Sequence, residues 1–179
     1  MTVNITWSLT AGGVAITDDV DHGNGSNGQT LTAQTIFMRH DGSNPITGCA
    51  LYIREYSGTY IGGASAALDF AEILGWGDAS TASAFGGFQV NMNATGSFPA
   101  AAWPAYSSKS PTNGYACRTG VADSVGTAVA VSTAMGAAAS GTINASSNVS
   151  FQCRMQFPTD EDVIGVRQLD QVLVYTYTS

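Results

Sequence analysis

The groups in this chain able to do covalent chemistry or hold a metal are three cysteines, two histidines and thirteen carboxylates. Cys49, Cys117 and Cys153 stand far apart, and none makes the close CxxC-type pair of a metal site. They predict buried small hydrophobes, with one disulfide as the alternative and a structural metal site behind it. A serine or cysteine nucleophile needs a base at its side, usually histidine. His22 and His40 both fall in or beside turns, and no G-x-S-x-G surrounds any serine, so no catalytic role is expected. Glycoside hydrolysis would need two carboxylates facing each other across a cleft. Asp69 and Glu72 instead fall on the polar side of a helical stripe, and Asp160, Glu161 and Asp162 share one loop, which predicts solvated charges. Asp19 and Asp21 faintly suggest a calcium loop, but no glutamate closes it at the required distance, so a plain loop is expected. Arg167 stands between Asp162 and Asp170, a spacing that predicts an ion pair pinning the loop before the last strand. The glycine-rich stretches near 23–28 and 62–63 lack the strand–turn–helix setting of a phosphate cradle. No enzyme, cofactor or metal is expected from this inventory.

The composition narrows the partners. Charged residues make up 11% of the chain, against roughly 25% in typical soluble proteins. A surface so poor in charge must be clothed in Ser, Thr, Asn, Gly and Ala, or partly buried against other chains. Six basic residues against thirteen acidic ones give a net charge of −7, so no basic patch for a nucleic-acid backbone is expected. The apolar runs fall short of the roughly 20 residues that span a bilayer, which predicts no membrane segment. The start, Met1 to Asn4, has no basic n-region or apolar core, and no secretory signal is expected there. At 179 residues the chain suits a single domain over 1–179 with a sizeable core.

The elements that would position any of these groups read as strands. Val149, Phe151, Cys153, Met155 and Phe157 are apolar at every second position with polar residues between, the pattern of a half-buried strand. A second strand follows from about Gln168 to Thr178. Its β-formers, Val172, Leu173, Val174, Tyr175 and Tyr177, occupy both faces and predict burial on two sides or at an interface. Earlier strands are expected over 3–17 (with a glycine turn at 11–13), 31–40, 48–56, 84–93 and 125–133. In the third of these Cys49, Leu51 and Ile53 share one face, with Ala50, Tyr52 and Arg54 on the other. Ala67, Phe70, Ala71 and Leu74 make one helical stripe, so a short helix is expected over 65–74. Together these predict an all-β antiparallel sandwich, jelly-roll or Ig-like, of about seven to nine strands. The segment 94–114 is loop-like, and its aromatics Phe98, Trp103 and Tyr106 are either packed beneath it or exposed as an interface.

The span from Gly62 to Asp78 (GGASAALDFAEILGWGD) and the ending from Val166 to Ser179 (VRQLDQVLVYTYTS) resemble small structural proteins of tailed-bacteriophage virions. The resemblance implies a β-sandwich building block repeated many times on a particle, and it carries no catalytic residues. It implies location in the virion and, as partners, major capsid or tail proteins and copies of the chain itself. A capsid decoration or accessory protein is the leading expectation. A tail, neck or baseplate protein, or a carbohydrate-binding adhesin or fibre domain, is the alternative. Phe98, Trp103 and Tyr106 are the candidate interface residues, because a few buried aromatics commonly dominate an interface.

Overall fold

A computed structural model describes residues 2–58, 87–91, 115–116, 141–157, 165–166 and 168–177. These hold eight strands and no helix. They are β1 (Ile5–Ser8), β2 (Gln34–His40), β3 (Ile46–Glu55), β4 (Gly87–Asn91), β5 (Tyr115–Ala116), β6 (Gly141–Ile143), β7 (Ser147–Gln156) and β8 (Leu169–Thr176). The helix expected over 65–74, the strand expected over 125–133, and Cys117 lie outside the described residues. So do Phe98, Trp103, Tyr106, Arg167 and the acidic loop at 160–162.

The described residues are all-β, with two antiparallel sheets. In the first the order is β1-β2-β7-β4. Its register sets Trp7 opposite Met38, Met38 opposite Val149, and Ile36 opposite Phe151. Opposed residues share a face, so the alternation in β2 and β7 falls on one side. Ile36, Met38, Val149, Phe151, Cys153 and Met155 are accordingly buried while their sequence neighbours are not. Trp7 meets Phe151 edge to face, with ring centroids 6.2 Å apart at 87°, a favoured aromatic geometry. The chain beside β7 continues past β2: Leu31 N–H donates to Met155 C=O and Phe157 N–H to Gln29 C=O. Leu31 is thereby carried into the core and Phe157 packed against its rim.

The second sheet is built on β3. Ala50 and Leu51 pair with β5 and with β8 at once, so those two strands flank β3 on opposite edges. The β6 strand pairs with the first part of β3. Register shifts by an irregularity between Ile46 and Cys49, and Gly48 within it has φ +59°. That left-handed conformation is costly for any residue with a Cβ and makes glycine the natural occupant of a bulge. Cys49, Ala50 and Leu51 are all fully buried, so both faces of β3 are covered there. Ile46, Cys49, Leu51 and Ile143 of this sheet belong to the same core as Ile36, Met38 and Phe151 of the first.

Of the two alternatives for the last strand, burial on two sides is not what the structure shows. Among the described residues β8 pairs with β3 alone, and its side chains are half-buried, becoming exposed at Tyr175 and Thr176. Tyr175 and Tyr177 stack at a tilt, ring centroids 6.5 Å apart, on the outside. The exposed tyrosines are what the other alternative, an interface, would use.

Candidate functional site

A cleft of 360 Å³ opens where the two sheets meet the loop 18–22. Its apolar lining is Trp7 of β1, Ile36 of β2, Leu169 of β8, and Ile16 and Val20 from the segment between β1 and β2. Ile16 is placed by the return of the chain after β1: Gly13 N–H bonds to Thr10 C=O, and Ile16 N–H to Trp7 C=O. Asp18, Asp19 and His22 come from the loop, Tyr56 from the end of β3, and Gln168, Asp170 and Gln171 from the start of β8.

Its polar groups hold one another. Tyr56 Oη donates to the Asp19 carboxylate at 3.1 Å, and Gln168 Nε2 donates to Asp19 Oδ2 at 3.0 Å. Ser57 N–H donates to Asp170 Oδ2 at 3.2 Å. Desolvation raises the Tyr56 phenol above its ordinary value, and the neighbouring Asp19, Asp170 and Asp18 carboxylates push it further the same way. The described lining contains no Lys or Arg. Asp170, which the spacing assigns to Arg167, accepts from the Ser57 backbone N–H, and Arg167 lies outside the described residues.

At the cleft wall lies the one histidine–thiol pair among the described residues, His22 lining the cleft and Cys153 behind it. His22 Nε2 is 3.8 Å from Cys153 Sγ, and Gln171 Nε2 donates to the same sulfur at 3.7 Å. Gln34 Nε2 donates to Asp21 C=O and ties the loop to β2. The positions suit a nucleophile–base pair, but the electrostatics do not. Burial pushes the Cys153 thiol up to about 12, outweighing the Gln171 hydrogen bond that lowers it. Burial likewise depresses His22, opposed only by the charge of Asp21. Thiol and imidazole are both held neutral near pH 7, whereas an activated pair needs thiolate and imidazolium. Cys153 is also fully buried and does not line the cleft. Cys49, buried on β3, is pushed to about 11 by the same desolvation, offset in part by a backbone hydrogen bond from Ile143. Cys49 and Cys153 are free thiols and occupy core positions, as their sequence context predicts.

Two consequences can be measured. Iodoacetamide at neutral pH should leave Cys49 and Cys153 unmodified in the folded chain and label both in urea, as peptide mass spectrometry would show. For His22, the unfolded chain accepts a proton near 6.5 that the folded chain resists. Acid therefore favours unfolding through this group: its stabilising contribution is present above pH 6.5 and lost as the pH falls through the depressed folded value. H22Q should lose less stability than the wild type across that window in paired denaturant titrations. Equal losses would remove His22 from the acid response.

His40 does not line the cleft. It is fully buried, with Gly42 N–H donating to Nδ1 at 3.3 Å and Nε2 2.8 Å from Asn44 C=O. Nδ1 also lies 3.3 Å from Asn4 C=O, and these backbone partners make the ring a brace for the 41–45 turn. In the loop that carries Asp19 and Asp21, Asp19 is engaged by Tyr56 and Gln168, and Asp21 Oδ1 accepts from Gly23 N–H. No cluster of three or more potential metal ligands occurs among the described residues. The cleft itself is missed by the residue pattern. Trp7, Tyr56, Gln168 and Gln171 come from three distant stretches, and only the loop carboxylates carry a local signal. No family model, curated protein or solved structure matches this chain.

Proposed function

We propose that the chain is a non-enzymatic structural protein of a tailed-bacteriophage virion, a capsid decoration or accessory protein assembled in many copies. The observation that carries this reading is a pair of antiparallel sheets sharing one core beneath a charge-poor exterior. The Cys153–His22 pair, both members held neutral by desolvation and the thiol itself fully buried, supports a building block over a catalyst. We take the fold to be a β-sandwich of jelly-roll or Ig-like type, one domain over 1–179, with a short helix at 65–74. Its partners are the major capsid or tail proteins and copies of itself, and neither nucleic acid nor a membrane is among them. Docking runs through Phe98, Trp103 and Tyr106, because a chain with six basic residues is poorly equipped for charge-based attachment.

The test is made on particles. Purified virions should contain the protein in many copies, by quantitative mass spectrometry against the major capsid protein. W103A should weaken incorporation by about 2 kcal/mol or more while the free chain stays folded. Normal incorporation of a folded W103A chain would remove this segment from the interface. Absence of the protein from purified particles would overturn the virion reading itself.

A further inference from the structure

We propose that the cleft between the 18–22 loop and the start of β8 binds a small neutral saccharide. Its volume of 360 Å³ lies at the lower end of the roughly 300–1,000 Å³ range of small-molecule sites, enough for roughly one or two pyranose rings. The lining combines what such a ring presents. Trp7 and Tyr56 offer aromatic surface to its C–H groups, while Asp18, Asp19 and Asp170 accept from its hydroxyls. Gln171 adds both kinds of partner: it gives one N–H to Cys153 and has a second N–H and a carbonyl oxygen besides.

Charge selects the class. An anionic ligand would meet three carboxylates and no Lys or Arg in the described lining. A simple cation would use the carboxylates alone and nothing of the amide donor. A polyhydroxylated neutral ring uses both. The site is also held in place beforehand, which lowers the ordering cost of binding. Tyr56 and Gln168 fix Asp19, the Ser57 backbone fixes Asp170, and Phe151 fixes Trp7 edge to face. This inference is independent of whether the chain resides on a particle.

The test uses the full chain and a panel of methyl glycosides of glucose, galactose and N-acetylglucosamine, read by saturation-transfer NMR and calorimetric titration. Methyl glucuronoside and methylguanidinium serve as the anionic and cationic comparators. At least one neutral glycoside should bind saturably, and glucuronoside at least about tenfold more weakly, because it brings a carboxylate against three others. D19N should weaken the neutral glycoside about tenfold, the value of a hydrogen bond to a charged acceptor. D18N, at an exposed loop position, gives the same reading if D19N fails to fold. Three results would each overturn the proposal: no saturable binding of any neutral glycoside, tighter binding of methylguanidinium than of the glycosides, or wild-type affinity in folded D18N and D19N chains.

Discussion

Replacing Phe151 with alanine should cost about 3–5 kcal/mol, measured as a lowered urea midpoint at unchanged slope. The ring is fully buried, lies opposite Ile36 across the β2–β7 ladder, and takes the edge of Trp7. Its removal deletes a large apolar group and leaves a void in the core that the two sheets share. The sheets' own hydrogen bonds limit how far the neighbours can collapse into it. Phe157, on the same alternating face, provides the contrast. It lies one residue beyond β7 and is only half-buried, packed against the core from its rim. F157A should therefore cost clearly less than F151A, although sequence alternation alone makes the two equivalent. A loss below about 1 kcal/mol for F151A would mean that the β2–β7 face is not core.

The second large effect is expected at His40. H40A should destabilise the fold by about 2–4 kcal/mol, combining a void with a buried Gly42 N–H left without its acceptor. H40Q retains an amide donor and a carbonyl acceptor, and should recover part of the loss in the same titrations. An equal loss in both variants would assign the effect to packing alone. The interest of the position is topological. The ring braces the turn between β2, in the first sheet, and β3, in the second. The Asp41 N–H to Asn4 C=O bond brings the N-terminal segment to the same corner.

The cleft links these structural results to function. It forms where β1, the end of β3 and the beginning of β8 converge, so its integrity depends on both sheets. The proposed saccharide site and the proposed virion role make separate demands on the molecule. One concerns the described cleft, the other the aromatic segment at 94–114, and variants in the two places can be scored independently.

What the amino-acid sequence determined by itself is the set of local choices. Strand β7 is legible because Val149, Phe151, Cys153 and Met155 alternate with polar neighbours. That period needs no partner to be recognised, only one face that is to be buried. The turn after β1, the strand before Asp41-Gly42 and the burial of Cys49 and Cys153 follow from equally local chemistry. Tertiary structure decided the rest, because pairing and proximity are properties of distant segments. Nothing local in Val172–Tyr177 says that β8 runs along one edge of β3 and exposes Tyr175. A run of β-formers has the same composition in a central strand and at a half-exposed position. Nor does His40 announce itself as a buried brace, since its partners are backbone groups brought round by a turn. The cleft is the extreme case. Trp7, Asp19, Tyr56 and Gln168 meet only after two sheets have formed and packed, and the loss of solvation that holds His22 and Cys153 neutral exists only in the packed molecule.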